Sequence, residues 1–184
     1  MKFRRTALAF ACLGSFVAAG PQRPKKDSSS SDANWAAKIV KVTQPDSVTI
    51  HKPRPPGEIG SPNNRNENPR DNQRWLVLTI ECKAPPQSEI TPEKVRIVDE
   101  ASGVFRVLGH SYGENFVFFS EMPLGIAHRS GAIFIASLEK GVKLFAGEEK
   151  WQSETTTLLF SVSAASKRFY FQIGDGTRLP VLLQ

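Results

Sequence analysis

The chain has 184 residues, 40% of them apolar and 23% charged, which suits one folded domain with extensions and excludes wholesale disorder. Its formal net charge of +6 is unevenly spread: Lys2, Arg4 and Arg5 open the chain, residues 21–74 hold ten Lys/Arg against six Asp/Glu, and residues 75–184 hold eleven against twelve. The C-terminal part is therefore close to neutral, which argues against a nucleic-acid-binding surface there.

Residues 1–19 read as an export signal. Lys2, Arg4 and Arg5 form the positive n-region, residues 6–19 are rich in Ala, Leu, Phe and Val, and Val17-Ala18-Ala19 offers a cleavage site before Gly20. The apolar run is shorter than the roughly 20 residues a membrane span requires, so no span is expected in the mature chain. An alternative is a lipoprotein signal in which Cys12, preceded by Ala11, carries the lipid; Phe10 and the missing leucine three residues before Cys12 weigh against it. Either way the expected location is exported: periplasm, cell envelope or outside the cell.

Residues 20–34 contain Pro-Lys-Lys-Asp and a run of four serines with no apolar period, the composition of a flexible tether. From Trp35 onward the pattern is that of strands. Residues 35–43 and 47–51 are rich in β-branched side chains. Residues 52–74 then carry seven of the chain's prolines and glycines among Asn63, Asn64, Asn66 and Asn68, and they read as a long irregular loop. Its arginines Arg54, Arg65 and Arg70 are candidate contacts for a partner.

Residues 75–82 are the clearest strand, with Leu76, Leu78, Ile80 and Cys82 on one face and Trp75, Val77, Thr79 and Glu81 on the other. Strands are also expected at 95–99, 104–108 and 115–120, with a turn at Glu100-Ala101-Ser102-Gly103. Residues 132–138 and 142–145 suit a hairpin in which Gly141 supplies a positive φ. A single helical turn fits 147–153. Residues 156–163 and 168–173 suggest a late hairpin, and 179–183 a closing strand. Seven to nine short strands separated by turn signals predict an all-β, immunoglobulin-like β-sandwich over residues 35–184.

The chemistry-bearing residues form no recognised catalytic pattern. Cleavage after Ala19 leaves Cys82 as the one thiol, and its place on an apolar face predicts burial. His51, His110 and His128 lack metal-ligand spacing and read as scattered, so no metal or other cofactor is expected. His110, Ser111 and Glu114 include triad residue types without a nucleophile elbow. Asp99 reads as a turn cap. Trp35, Trp75, Trp151, Phe116, Phe118, Phe119, Phe169, Tyr170 and Phe171 suit core packing, with an exposed stacking platform for sugars as the alternative.

The segment Arg74-Trp-Leu-Val-Leu-Thr-Ile-Glu-Cys-Lys83, then Ile90-Thr-Pro-Glu93, Val95-Arg-Ile-Val-Asp99 and the turn at Ser102-Gly103, resembles the telokin-like immunoglobulin-fold domains of bacterial secreted proteins and lipoproteins. Thr157-Leu-Leu-Phe-Ser-Val162 and Phe169-Tyr-Phe-Gln-Ile173 are similar to their closing hairpin. The resemblance implies an envelope sandwich without shared catalytic residues. The expected function is a non-catalytic exported binding or interaction module. Its partner would be an envelope protein or a glycan, met by the 52–74 loop or by the turn carrying His110 and Tyr112. A carbohydrate-binding domain and, less favoured, a hydrolase are the alternatives.

Overall fold

The computed structural model describes residues 35–55, 57–60, 63–85, 88–131, 133–146 and 155–183. The expected leader and tether, Trp151 and the helical turn at 147–153 lie outside them. Among the described residues the fold is an all-β sandwich of fifteen strands in three sheets, more strands than the seven to nine expected. The described residues contain no α-helix, and no helix among them is long and apolar enough to cross a membrane.

The largest sheet has seven strands in the order β1 (Ala36–Thr43), β4 (Gln73–Lys83), β13 (Thr155–Ser163), β8 (Gly109–Tyr112), β9 (Asn115–Phe118), β2 (Val48–Lys52), β3 (Asn63–Glu67). A second has β10 (Ala127–Ser130), β11 (Ile133–Leu138), β12 (Gly141–Ala146) and β5 (Glu89–Ile90). The third has β15 (Leu179–Val181), β14 (Phe169–Ile173), β6 (Val95–Asp99) and β7 (Val104–Arg106). Pairing is antiparallel except where Ile50 of β2 meets Phe116 of β9 in parallel.

Period-two alternation sorts the side chains. Leu76, Leu78, Ile80 and Cys82 of β4 join Leu158, Phe160 and Val162 of β13 in the main core, where they meet Ile97, Phe169, Phe171, Ile133 and Ile135 from the two smaller sheets. Phe160 and Phe171 meet edge to face with centroids 6.2 Å apart. Cys82 is buried as expected, and desolvation pushes its thiol up to about 12.

The opposite face of the seven-stranded sheet is apolar too. Trp75, Val77 and Leu159 share a second core with Val48 and Ile50, against which Phe116 and Phe118 pack. Yet β4 and β2 are separated in the sheet by β13, β8 and β9. They can touch only if the sheet curls, and the Trp75 indole Nε1 donates to the Glu67 carbonyl at the end of β3, 3.1 Å away. The β9–β2–β3 wing therefore rolls back over β4 and encloses its own small core.

Two expectations are corrected. The 52–74 segment is not one irregular loop, because its middle is strand β3, paired with β2 from Val48↔Glu67 to Lys52↔Asn63. This edge strand has no apolar face to bury, so it shows no alternation. Polar side chains tie it down instead: the Thr49 hydroxyl donates to Asn66 Oδ1 at 2.9 Å, and His51 Nδ1 bonds Asn64 Oδ1 at 2.9 Å. The prolines Pro53, Pro55 and Pro69 fall just outside the paired residues, where their missing N–H costs no ladder bond. Second, β13 and β14 are not a hairpin. β13 pairs with β4 and β8, whereas β14 pairs with β6 and β15, so the connection between them crosses from one sheet to another. Ser166 in that crossing donates to Asp99 Oδ2 at 2.7 Å, and Arg74 Nη2 of β4 donates to the Ser166 carbonyl at 2.5 Å. Asp99 also caps its own turn, with Oδ1 accepting from the N–H groups of Ala101 and Gly103.

Gly109 fixes the approach of β8 to β9, since a Cβ there would lie 2.2 Å from the Val117 carbonyl oxygen. Gly109→Ala is expected to destabilise by about 1–3 kcal/mol or more through backbone displacement, read by urea unfolding. Gly113→Ala serves as the comparison: that turn glycine has φ +60 and open space around it, so it carries only the left-handed penalty of about 1–2 kcal/mol.

Candidate functional site

The curled wing leaves an open cleft of about 510 Å³ at its mouth, within the size range of small-ligand sites. Strand β3 and the segment after it contribute Arg65, Glu67 and Arg70. The chain leaving β7 supplies Arg106 and Leu108, and the end of β9 supplies Phe118. Ser120 and Glu121 come from a 3-10 turn at Phe119–Glu121.

The three arginines are not equivalent. Arg65 is consumed by carboxylates: Nη1 donates to Glu121 Oε2 at 2.9 Å, Nη2 donates to Glu121 Oε1, and Nε donates to Glu67 Oε1 at 2.6 Å. This fork fixes β3 to the 3-10 turn and is a strong geometry for an ion pair. The hydrogen bonds from Glu121 and then Glu67 raise the Arg65 guanidinium above its ordinary value, and the same pairing holds the Glu121 carboxyl below the usual range.

Arg70 and Arg106 have no side-chain hydrogen bond or ion pair among the described residues, and both are exposed. In β7, Arg106 stands directly across from Arg96 of β6, an arrangement of like charges that is unfavourable without an intervening anion. Beside them Leu108 is 37% exposed and Phe118 half-buried, so the cationic groups adjoin an apolar wall.

The histidines are corrected as a group, because the fold gathers all three. The rings of His51 and Tyr112 stack at 5.3 Å, those of Tyr112 and His128 at 4.5 Å, and His110 meets His128 edge-on at 5.5 Å. Phe119 stacks on His110 at 5.8 Å. Cross-strand pairing causes this: His110 faces Val117 and Tyr112 faces Asn115, on the side of the sheet to which β10 brings His128. His51, Tyr112 and His128 are layered face to face, with His110 edge-on to His128. Among the described residues no group of three or more His, Cys, Asp or Glu could hold a metal ion.

His110 is wholly buried, which corrects its expected role as a surface contact: it pairs with Leu158 inside the sheet. Its Nδ1 lies 2.8 Å from the Ser111 carbonyl. A carbonyl can only accept, so Nδ1 carries the proton in the neutral ring. Nε2 is buried and has no partner among the described residues, so a second proton there would lack an acceptor. Burial, the first cause, pushes the His110 pKa down to about 4 against the Ser111 hydrogen bond, with His128 adding to the depression. Ser111 lies on the opposite face of β8 from His110, and the pair shares no side-chain hydrogen bond that a nucleophile and base would need.

Of the five residues expected to meet a partner, the cleft unites Arg65 and Arg70. His110 and Tyr112 belong to the ring column, where Tyr112 remains 45% exposed. Arg54 stays apart, next to Gly60, where a Cβ would come within 2.0 Å of its Nη1. Arg106, Leu108 and Glu121 were not singled out by the sequence. They join the cleft only because the sheets cross there. Comparison of the chain with protein-family models, curated proteins and solved structures gave no match.

Two outcomes are expected. Since the native fold disfavours charged His110, its contribution is complete above the unfolded value of about 6.5 and is lost as pH falls toward 4. Urea unfolding across that window is expected to show a loss of roughly 3 kcal/mol, with a shallower slope in His110→Phe. Trp75→Phe, which removes the donor to the Glu67 carbonyl, is expected to cost about 1 kcal/mol and to raise amide exchange selectively in β3.

Proposed function

We propose that this protein is a non-catalytic binding module exported to the cell envelope, and that its contact site is the cleft at the mouth of the curled sheet. The carrying observation is that two arginines without ion pairs among the described residues, Arg70 and Arg106, adjoin the part-exposed wall of Leu108 and Phe118. Convergent polar groups beside apolar surface are the usual composition of a binding site. Export is supported by the charged, apolar and small-residue regions of residues 1–19, and the likeness to telokin-like envelope domains is in keeping with an all-β sandwich.

The sugar-platform alternative has less to draw on. Trp35, Trp75, Phe169 and Phe171 are core residues, with Trp75 only 5% exposed. Tyr170 is half-buried and is not part of the cleft.

The reading is tested in cells expressing the full chain. Intact mass of the recovered protein is expected to begin at Gly20, in the envelope fraction. A photo-crosslinking residue at position 108 is expected to trap a partner or ligand. The same residue in place of Leu182, which is exposed but outside the cleft, is expected to give only background. Equal labelling at both positions, or an uncleaved protein in the cytosol, overturns the reading.

A further inference from the structure

Resting on the cleft as the binding site, we infer that its ligand is an organic anion: a carboxylate or phosphate group carried on an apolar body. Three observations converge. Arg65 is held by both Glu67 and Glu121, so the clamp shapes the cleft, offers no free guanidinium and carries one net negative charge. Arg70 and Arg106 have no direct ion pair among the described residues and leave the charged lining, three arginines against two glutamates, at a net +1; a guanidinium matches the planar fork of a carboxylate or the oxygens of a phosphate.

Arg106 supplies the second argument. It faces Arg96 across the β6–β7 ladder, where Arg96 Nε donates to Gln172 Oε1 at 3.3 Å and neither arginine forms an ion pair among the described residues. A bound anion relieves that repulsion, and it does so at the rim of the cleft. The third argument is the wall. Leu108 and Phe118 offer apolar contact next to the charges, so a ligand with only a charged head leaves that surface wet. An apolar body attached to the anion covers it and gains about 25 cal/mol per Å² buried.

A neutral ligand fits less well. It would leave two guanidinium groups partly desolvated and unpaired, which opposes binding. A cation meets Arg70 and Arg106 in a cleft whose charged lining is net positive, with the carboxylate oxygens of Glu67 and Glu121 already turned to Arg65.

The test is a titration of the full chain, at low ionic strength, with four probes: benzoate, phenyl phosphate, benzyl alcohol and inorganic phosphate, followed by heteronuclear NMR shifts. Benzoate or phenyl phosphate is expected to bind at least about tenfold more tightly than benzyl alcohol, which is a difference of about 1.4 kcal/mol. Which of the two prevails identifies the head group. Arg70→Gln and Arg106→Gln are each expected to weaken the anion by about tenfold while leaving benzyl alcohol unaffected. Leu108→Ser is expected to weaken the aromatic anions but not inorganic phosphate. Circular dichroism of each variant checks that the β fold is retained.

Equal binding of benzoate, phenyl phosphate and benzyl alcohol overturns the inference, as does anion binding that survives both arginine substitutions. Absence of any shift up to about 10 mM, near the weak limit of measurable affinity, overturns it as well. If benzyl alcohol alone binds and Leu108→Ser abolishes it, the anion inference fails while the cleft stands as the binding site. If crosslinking at position 108 is no greater than at Leu182, the cleft reading itself fails.

Discussion

The hydrogen bond from the Trp75 indole to the Glu67 carbonyl, 3.1 Å long, is the constraint on which the rest of the molecule depends. It joins the second strand of the large sheet to that sheet's far edge, across four intervening strands. A flat sheet cannot close that distance; natural twist and coiling can. The burial of Trp75 with Val48, Ile50 and Leu159 stabilises the closure, and the Arg65 fork on Glu121 anchors the same edge from its other side. Without this return of β3 there is no mouth to the wing, and Arg70 has no apolar wall beside it.

How much of this could be read from the sequence varies with the kind of force. The central strands were legible because burial writes itself as alternation: β4 and β6 stand where their apolar periods predict, and Asp99 caps its turn as expected. Gly141 likewise holds φ +101 in the β11–β12 hairpin. Strand β3, by contrast, reads Asn-Asn-Arg-Asn-Glu. An edge strand held by amide and hydroxyl contacts needs no apolar residue, so its sequence resembles a loop. The meeting of the three histidines was equally hidden, since His51 and His128 are far apart in sequence and approach only through parallel β2–β9 pairing and the packing of a second sheet. Arg65 and Arg70 were singled out as charged residues in an unusual segment. Their neighbours Arg106 and Glu121 depend on topology, which local composition does not record.

The polar groups divide into those that hold the sandwich and those that face outward. Arg74, Ser166 and Asp99 form a line of hydrogen bonds that ties β4 to the β6 turn, and Arg74 also lies over the Phe169 ring at 5.3 Å. The Ser166 hydroxyl, first, and the backbone N–H groups of Gly103 and Ala101 depress the Asp99 carboxyl below its ordinary value, against the desolvation that opposes them. His110 works in the opposite sense, as a neutral ring whose proton is placed by the Ser111 carbonyl. Acid therefore acts on the molecule at its interior ring column as well as on its surface.

The buried thiol of Cys82 bears on the export proposed for this chain. At the end of β4 it is shielded by the main core, and its high proton affinity leaves almost no thiolate to attack a disulfide or an oxidant. In a chain cut after Ala19 it is the sole sulfhydryl. An oxidising compartment would meet an inert atom for as long as the sandwich stays closed, and chain-to-chain cross-linking through sulfur there would mark molecules that have opened.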